Sequence, residues 1–517
     1  MESSGIEHEP TADNLPKTTS INRVIKNSLF NVGAWGLNIT IILLTTPFIV
    51  RKLTEEGYGV FALLTGLVGY YSLLDLGLGQ GVTKFVAEYK ANGDIDGINQ
   101  AINAAIWIQV IVGLIVSSLL ALFASDILSL LHVTPQYWAD AKVSLYASAI
   151  GFFFTMVAGT LGSALMGLQR YDITSTVGGV TSSVLNILIV VALYNGFGLR
   201  HAMYLTLLSG FVLFIIYFLF LRKYLLTWRL SVLPDKLHLS SLFRYSSYMF
   251  ISKSTSIFSN YIVRFVVAFF LGPISVTYYV VSSRLVNTIS SLLYNGFIAI
   301  FPFASEVGTQ KDPAKVQKLF LEASKIMAAF AFPLLLSTTF FAKPILSFWM
   351  GPEFAEKSWI VLSLLSLSGL VSSLSVVPNL LTMGLGYSRI IGVYSVISLL
   401  AYILLVPPLT KWGGVNGTAF GTILVTIPGI LLVANETRNI FNMRRMEYLI
   451  KTMGFHFLAT VIYLVIGLAI PKENLSLKSK ELLYPVVFVA SYFVFMVIFN
   501  WLPLHEYFKQ VRQNRQN

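Results

Sequence analysis

The chain has 517 residues, of which 55% are hydrophobic and only 12% charged, about half the charge of an ordinary soluble domain. A net charge of +12 suggests a nucleic-acid partner, but the basic residues sit in short connections between apolar segments, which excludes that reading. With no cysteine and six scattered histidines, disulfide frameworks and thiolate chemistry are excluded and a metal site is not expected.

Residues 1–20 are polar and lack an apolar h-region, so no cleaved signal peptide is expected. Windows of about 19 residues then give about fourteen membrane spans. The first six are placed at 29–50, 60–80, 102–124, 144–167, 173–194 and 203–221. After a basic connection come 244–267, 276–303, 319–341, 358–382, 389–409 and 415–434, and then 449–470 and 483–502. With both termini in the cytoplasm, Lys and Arg on that side outnumber those on the other by about two to one, which sets the expected orientation.

The second span carries a charged turn, Glu55-Glu56-Gly57, about twenty apolar residues, one acid, Asp75, and a Gly-broken exit, Leu76-Gly77-Leu78-Gly79. The chain repeats itself. Leu165-Met166-Gly167-Leu168 recurs 217 residues later as Thr382-Met383-Gly384-Leu385, and Pro135-Gln136-Tyr137 recurs as Pro352-Glu353-Phe354. At an offset of 218, Leu53 falls on Leu271 and Glu88 on Glu306. Each copy holds six spans, an even number, so the copies share one orientation and form two lobes related by a pseudo-twofold axis along the membrane normal. The expected fold is an all-α polytopic membrane protein. Residues 1–28 form a cytoplasmic tail, 29–221 a first lobe, 222–243 a basic connection and 244–434 a second lobe. Residues 435–502 add two further spans, and 503–517 form a second cytoplasmic tail. Two six-helix lobes without a soluble catalytic domain indicate a transporter and not an enzyme.

Charges inside a bilayer are costly and mark function. From the span limits, Lys253 lies ~14 Å deep and Arg284 ~15 Å deep, close to the midplane. Lys253, Ser256, Asn260 and Arg264 share one helical face, as do Arg284, Asn287, Ser291 and Asn295 on the next span. The first lobe has Trp35 where the second has Lys253, Thr46 where it has Arg264 and Gly66 where it has Arg284, and offers Asn27, Asn31 and Asn38 on its first span. Three deep cations against one deep acid favour an anionic substrate. Arg264, near its helix end, is also placed to snorkel to the interface, and a structural role is open to Lys253 and Arg284. Three roles are open to Asp75: binding a coupling proton or cation, pairing with a cleft cation, or holding the interrupted helix end.

The stretch Gly57-Tyr58-Gly59 through Tyr70-Tyr71-Ser72-Leu73-Leu74-Asp75-Leu76-Gly77-Leu78-Gly79 resembles the second-helix signature of the polysaccharide-biosynthesis flippases. Leu271-Gly272-Pro273, Tyr279, Arg284-Leu285, Phe301-Pro302 and Ser305-Glu306 resemble that family's eighth-helix pattern, and Met166-Gly167-Leu168-Gln169-Arg170-Tyr171 matches a further turn. The resemblance covers roughly residues 20–440 and is to the Wzx-type O-antigen and exopolysaccharide flippases of the MATE-like multidrug/oligosaccharidyl-lipid/polysaccharide superfamily. It implies movement of a polyprenyl-pyrophosphate-linked oligosaccharide across the cytoplasmic membrane by alternating access. It further implies membrane lipid contact, partnership with a polysaccharide polymerase and chain-length machinery, and no cofactor beyond possible coupling to an H⁺ or Na⁺ gradient. On this reading Lys253 and Arg284, with Arg264, hold the pyrophosphate. Asn260, Asn287, Asn31, Asn38 and Trp35 meet the glycan, helped by Tyr70, Tyr71 and Tyr294. The alternative is an ion-coupled exporter of small molecules from the same superfamily.

Overall fold

The computed structural model describes residues 21–69, 75, 78–225, 228, 262–298, 300, 304, 313–460 and 483–498. All its regular elements among the described residues are helices. The first lobe contains α1 (Ile21–Gly69), α2 (Leu78–Ala91), α3 (Ile95–Leu122), α4 (Ala124–Leu130), α5 (Pro135–Gly167), α6 (Tyr171–Tyr194) and α7 (Leu199–Tyr224). The second contains α8 (Val263–Leu271), α9 (Pro273–Phe297), α10 (Pro313–Phe340), α11 (Ala342–Met350), α12 (Pro352–Leu374), α13 (Val376–Gly384), α14 (Ser388–Val425) and α15 (Ile427–Asn439). α16 (Arg445–Leu449) continues through a π-helical turn, Ile450–Gly454, and α17 (Leu483–Ile498) follows. Seven helices among the described residues are long and apolar enough to cross a membrane. Their outer faces expose Ile111, Leu114, Ile115 and Leu119 on α3 and Ile397, Leu400 and Leu404 on α14, as lipid-facing surface requires.

Two of the expected span pairs are single long helices with a break. α1 turns at Thr54 and α14 at Gly414, so the expected pairs 29–50 with 60–80 and 389–409 with 415–434 run as two rods each. Of the expected span 60–80, the described residues are the helix through Gly69, Asp75 in a turn, and α2 from Leu78. Most of the expected span 244–267, including Lys253 and Asn260, lies outside the described residues, as do Tyr70 and Tyr71.

The duplication is written in the backbone. Ile95 and Pro313 open equivalent helices 218 residues apart, as Tyr171 and Ser388 do at 217. Residues with positive φ recur at the same spacing: Thr54 with Gly272, Gln169 with Gly386, and Gly196 with Gly414. His132 and Gly351 pair one residue further apart. Thr54 (φ 67°, ψ 169°) and Gly272 (φ 79°, ψ 175°) share one conformation, so each lobe's first helix breaks in the same way. That region suits glycine almost exclusively. Thr54 is held there by its hydroxyl, 2.7 Å from the Tyr137 hydroxyl and 3.3 Å from the Gly57 amide.

The lobes meet at these two breaks. Thr277 on α9 donates to the Glu55 carbonyl. Shifting both partners by the repeat gives Gly59 and Pro273, which also touch, so closely that a Cβ on Gly59 would collide with the Pro273 carbonyl. The seam is therefore locally twofold. The extension breaks the symmetry. α10 packs on α17 and on the π turn, and 61% of its apolar window is buried, against 22% for its counterpart α3, which faces outward.

The strain at Thr54 sets an order of stability. Thr54→Val loses the hydroxyl and keeps a β-branched residue at φ 67°, and is expected to lower the thermal midpoint by several degrees. Thr54→Gly loses two hydrogen bonds, each worth about 1 kcal/mol, but sheds a strain of about 1–3 kcal/mol. It is expected to unfold close to the wild-type temperature and above Thr54→Val in scanning fluorimetry.

Candidate substrate cleft at the lobe seam

Further along the same seam lie Arg284 and Arg264. Arg284 on α9 donates through Nη1 to the Thr46 hydroxyl on α1 at 2.7 Å. Arg264 on α8 reaches across to the Ala62 carbonyl at 3.4 Å and lies against Gly66. The repeat maps Thr46 onto Arg264 and Arg284 onto Gly66, so these contacts too are pseudo-twofold mates. The guanidinium of each contact faces a small residue whose own counterpart is the other arginine. Both cations consequently belong to the second lobe and both lean on the first.

The two arginines, with Asn287, Thr288 and Ser291 of α9, line a cavity of about 210 Å³ that α1 closes with Ile39 and Ile42. No acidic side chain is among its described lining residues. Among the described residues Arg284 bonds only to Thr46, which leaves most of its five N–H donors available. A permanently charged fork in that state suits a polyanion with several oxygens. Asn287 also lines two larger cavities, of about 400 and 430 Å³, and Tyr294 and Asn295 line the second of these.

The remaining expected residues are distributed differently. Asn38 accepts from Ser183 Oγ at 3.2 Å and is turned toward α6. Asn31 and Trp35 lie on the helical backbone of α1, with side chains outside the described residues. Lys253 and Asn260 also lie outside them.

Asp75 is buried away from the arginine cavity. Its carboxylate accepts from the Gly79 amide at 3.1–3.2 Å and from Gln109 Nε2 at 2.8 Å, and its carbonyl accepts from the Leu78 amide. These bonds hold the start of α2, the third of the roles open to it. Thr83 of α2 donates to the Ser163 carbonyl of α5, so the cap fixes how α2 docks. Among the described residues no group of three His, Asp or Glu side chains could hold a metal ion.

Glu55, read in the sequence only as part of a charged turn, is the hub of the seam's end. It accepts from the Tyr278 hydroxyl and pairs with Lys357 at 3.3 Å, while its carbonyl takes Thr277. Beside it Trp349 donates to the Leu43 carbonyl at 2.8 Å and Arg51 reaches the Met350 carbonyl at 3.5 Å. Its position directly after the helix break was the available signal. Its partners, 222 to 302 residues away, were not.

A many-helix membrane fold with two lobes and a polar seam is that of a transporter. The chain belongs to the polysaccharide biosynthesis protein family, whose model matches residues 48–359. It is similar to a putative O-antigen transporter of Shigella flexneri, 21% identical over 421 residues, covering 80% of this chain and 98% of that one. In fold it is similar to the lipid II flippase MurJ in an inward closed conformation, with a TM-score of 0.75 at 15% identity, covering 91% of this chain and 99% of that one. It also resembles an inward-facing multidrug resistance MATE transporter, with a TM-score of 0.62 at 15% identity over 77% of this chain and 92% of that one.

The geometry separates two roles for Asp75. Asp75→Asn keeps an acceptor for Gly79 and is expected to retain most transport, whereas Asp75→Ala loses the cap and about 1–2 kcal/mol. Transport lost equally in both variants, with unfolding temperatures unchanged, would instead assign Asp75 to ion coupling.

Proposed function

We propose that this protein flips a polyprenyl-pyrophosphate-linked oligosaccharide across the cytoplasmic membrane by alternating access. The observation that carries the reading is the pair of arginines at the lobe seam, lining one cavity without an acid among its described residues. A membrane protein keeps cations at depth when function requires them, and a pyrophosphate would give a counter-charge to Arg284, whose one described bond is to the neutral Thr46 hydroxyl. In the resting state the Thr46 hydroxyl occupies one donor of Arg284. An arriving phosphate oxygen replaces that neutral acceptor with a charged one, a stronger bond. Asn287 and Ser291 beside it suit sugar hydroxyls, and the isoprenoid tail stays in lipid. Lys253, from the sequence, adds a third cation.

With both termini cytoplasmic, the Glu55 end of the seam faces outward. Its contacts then form an outer gate made of a partly exposed ion pair and a few hydrogen bonds. Each is worth about 1 kcal/mol or less, a scale that a bound substrate can reverse. The family's naming and the relative's printed name, O-antigen transporter, support a glycan of polysaccharide assembly, and a polymerase and chain-length machinery would then receive it.

The test is the leaflet distribution of lipid-linked oligosaccharide in cells lacking the gene, complemented with wild type or with Arg264→Ala plus Arg284→Ala. Deletion is expected to accumulate intact precursor on the cytoplasmic side, wild type to clear it, and the double variant to slow clearance at least tenfold. An unchanged distribution on deletion would turn the reading toward ion-coupled export of small molecules.

A further inference from the structure

Inside the second lobe, α9, α12, α13, α14 and α15 enclose a cavity of about 400 Å³, within the range of small-molecule sites. No charged side chain is among its described lining residues. Its wall carries the hydroxyls of Ser290, Ser372, Ser375 and Ser398 and the amides of Asn287 and Asn379. None of these six side chains makes a hydrogen bond within the protein among the described residues.

Unlike these serines, and unlike Ser282 and Ser366 on the same helices, a helical serine can return its proton to the carbonyl one turn back. Nearby hydroxyls do so: Ser358 donates to Phe354, and Thr410 to Val406. Ser375 is only 9% exposed, and Asn379 Oδ1 is fully buried with no partner. Leaving Asn379 Oδ1 unpaired costs about 1–3 kcal/mol, and the hydroxyls and amides around it suit an occupant that both donates and accepts.

The lining selects its class. An ion would meet no counter-charge there, and an acyl or isoprenoid chain would leave the hydroxyls unpaired. A neutral sugar ring offers several hydroxyls and a C–H face, and the buried rings of Tyr279 and Tyr402 line the same wall. The chamber adjoins the arginine cavity, since Ser283 and Asn287 line both.

We propose that this chamber is a neutral-sugar pocket that holds a ring of the glycan whose pyrophosphate sits on the seam arginines. The proposal rests on the flippase reading and adds where glycan selectivity resides: in the second lobe, past Asn287, and not only in the central seam.

The test is equilibrium binding of two probes to the full-length protein in lipid nanodiscs: undecaprenyl pyrophosphate, and the same lipid carrying the host oligosaccharide. Wild type is expected to bind the glycan-bearing lipid about tenfold more tightly than the bare one. Ser398→Phe, which fills the chamber, is expected to abolish that preference while leaving the bare lipid's affinity unchanged. Ser372→Ala plus Ser398→Ala, which is sterically mild, is expected to reduce it several-fold and keeps the test usable if the phenylalanine impairs folding. A preference intact in both variants overturns the pocket, as does equal loss of both lipids in the alanine variant. A Na⁺-dependent affinity that the variants remove without touching the glycan preference overturns it in favour of a cation site. Wild type that binds neither lipid defeats the flippase reading itself, and the pocket with it.

Discussion

Two guanidinium groups in the seam between the lobes are the constraint on which the rest depends. Each belongs to the second lobe, and each finds its described partner on the first, at Thr46 and Ala62. Buried charges need protein or water partners, and the bond of Arg284 to Thr46 ties the second lobe to the first. The ends of the helices add the complementary element, a cluster around Glu55 that joins α1 to α9 and α12 through ordinary polar bonds.

Duplication explains how such a seam arises. Two copies of one six-span unit meet through the same surfaces, so contacts come in mates: Thr277 with Glu55 and Gly59 with Pro273, Arg284 with Thr46 and Arg264 with Gly66. Divergence then acted on single positions. Glycine in one copy is arginine in the other, and the polar character collected on α8 and α9. The C-terminal extension covers α10 and leaves α3 exposed, a second asymmetry laid on the same frame.

Much of this was legible in the sequence because hydrophobic length and repetition survive without knowledge of contacts. The offset near 218 located the lobes, and it also paired Thr46 with Arg264 and Gly66 with Arg284. Sequence alone aligned those residues as equivalents and had no means of showing that they touch crosswise. Asp75 was ambiguous because a lone acid reads alike as ion site or cap. Its bonds to Gln109 and the Gly79 amide, one of them 34 residues away, favour the cap. Asn38 was expected in the cleft, and its bond from Ser183 of α6 was not legible in the sequence. The hydroxyl chamber of the second lobe left almost no trace, since serines on apolar helices are common and only the fold gathers these around one cavity.

The measurement that bears most directly on the account is native mass spectrometry of the purified chain with undecaprenyl pyrophosphate and with undecaprenol, which share a tail and differ in charge. Selective retention of the pyrophosphate by wild type, weakened by Arg284→Ala and further by added Arg264→Ala, is the predicted result. Equal retention of the two lipids, or retention indifferent to both arginines, would contradict it.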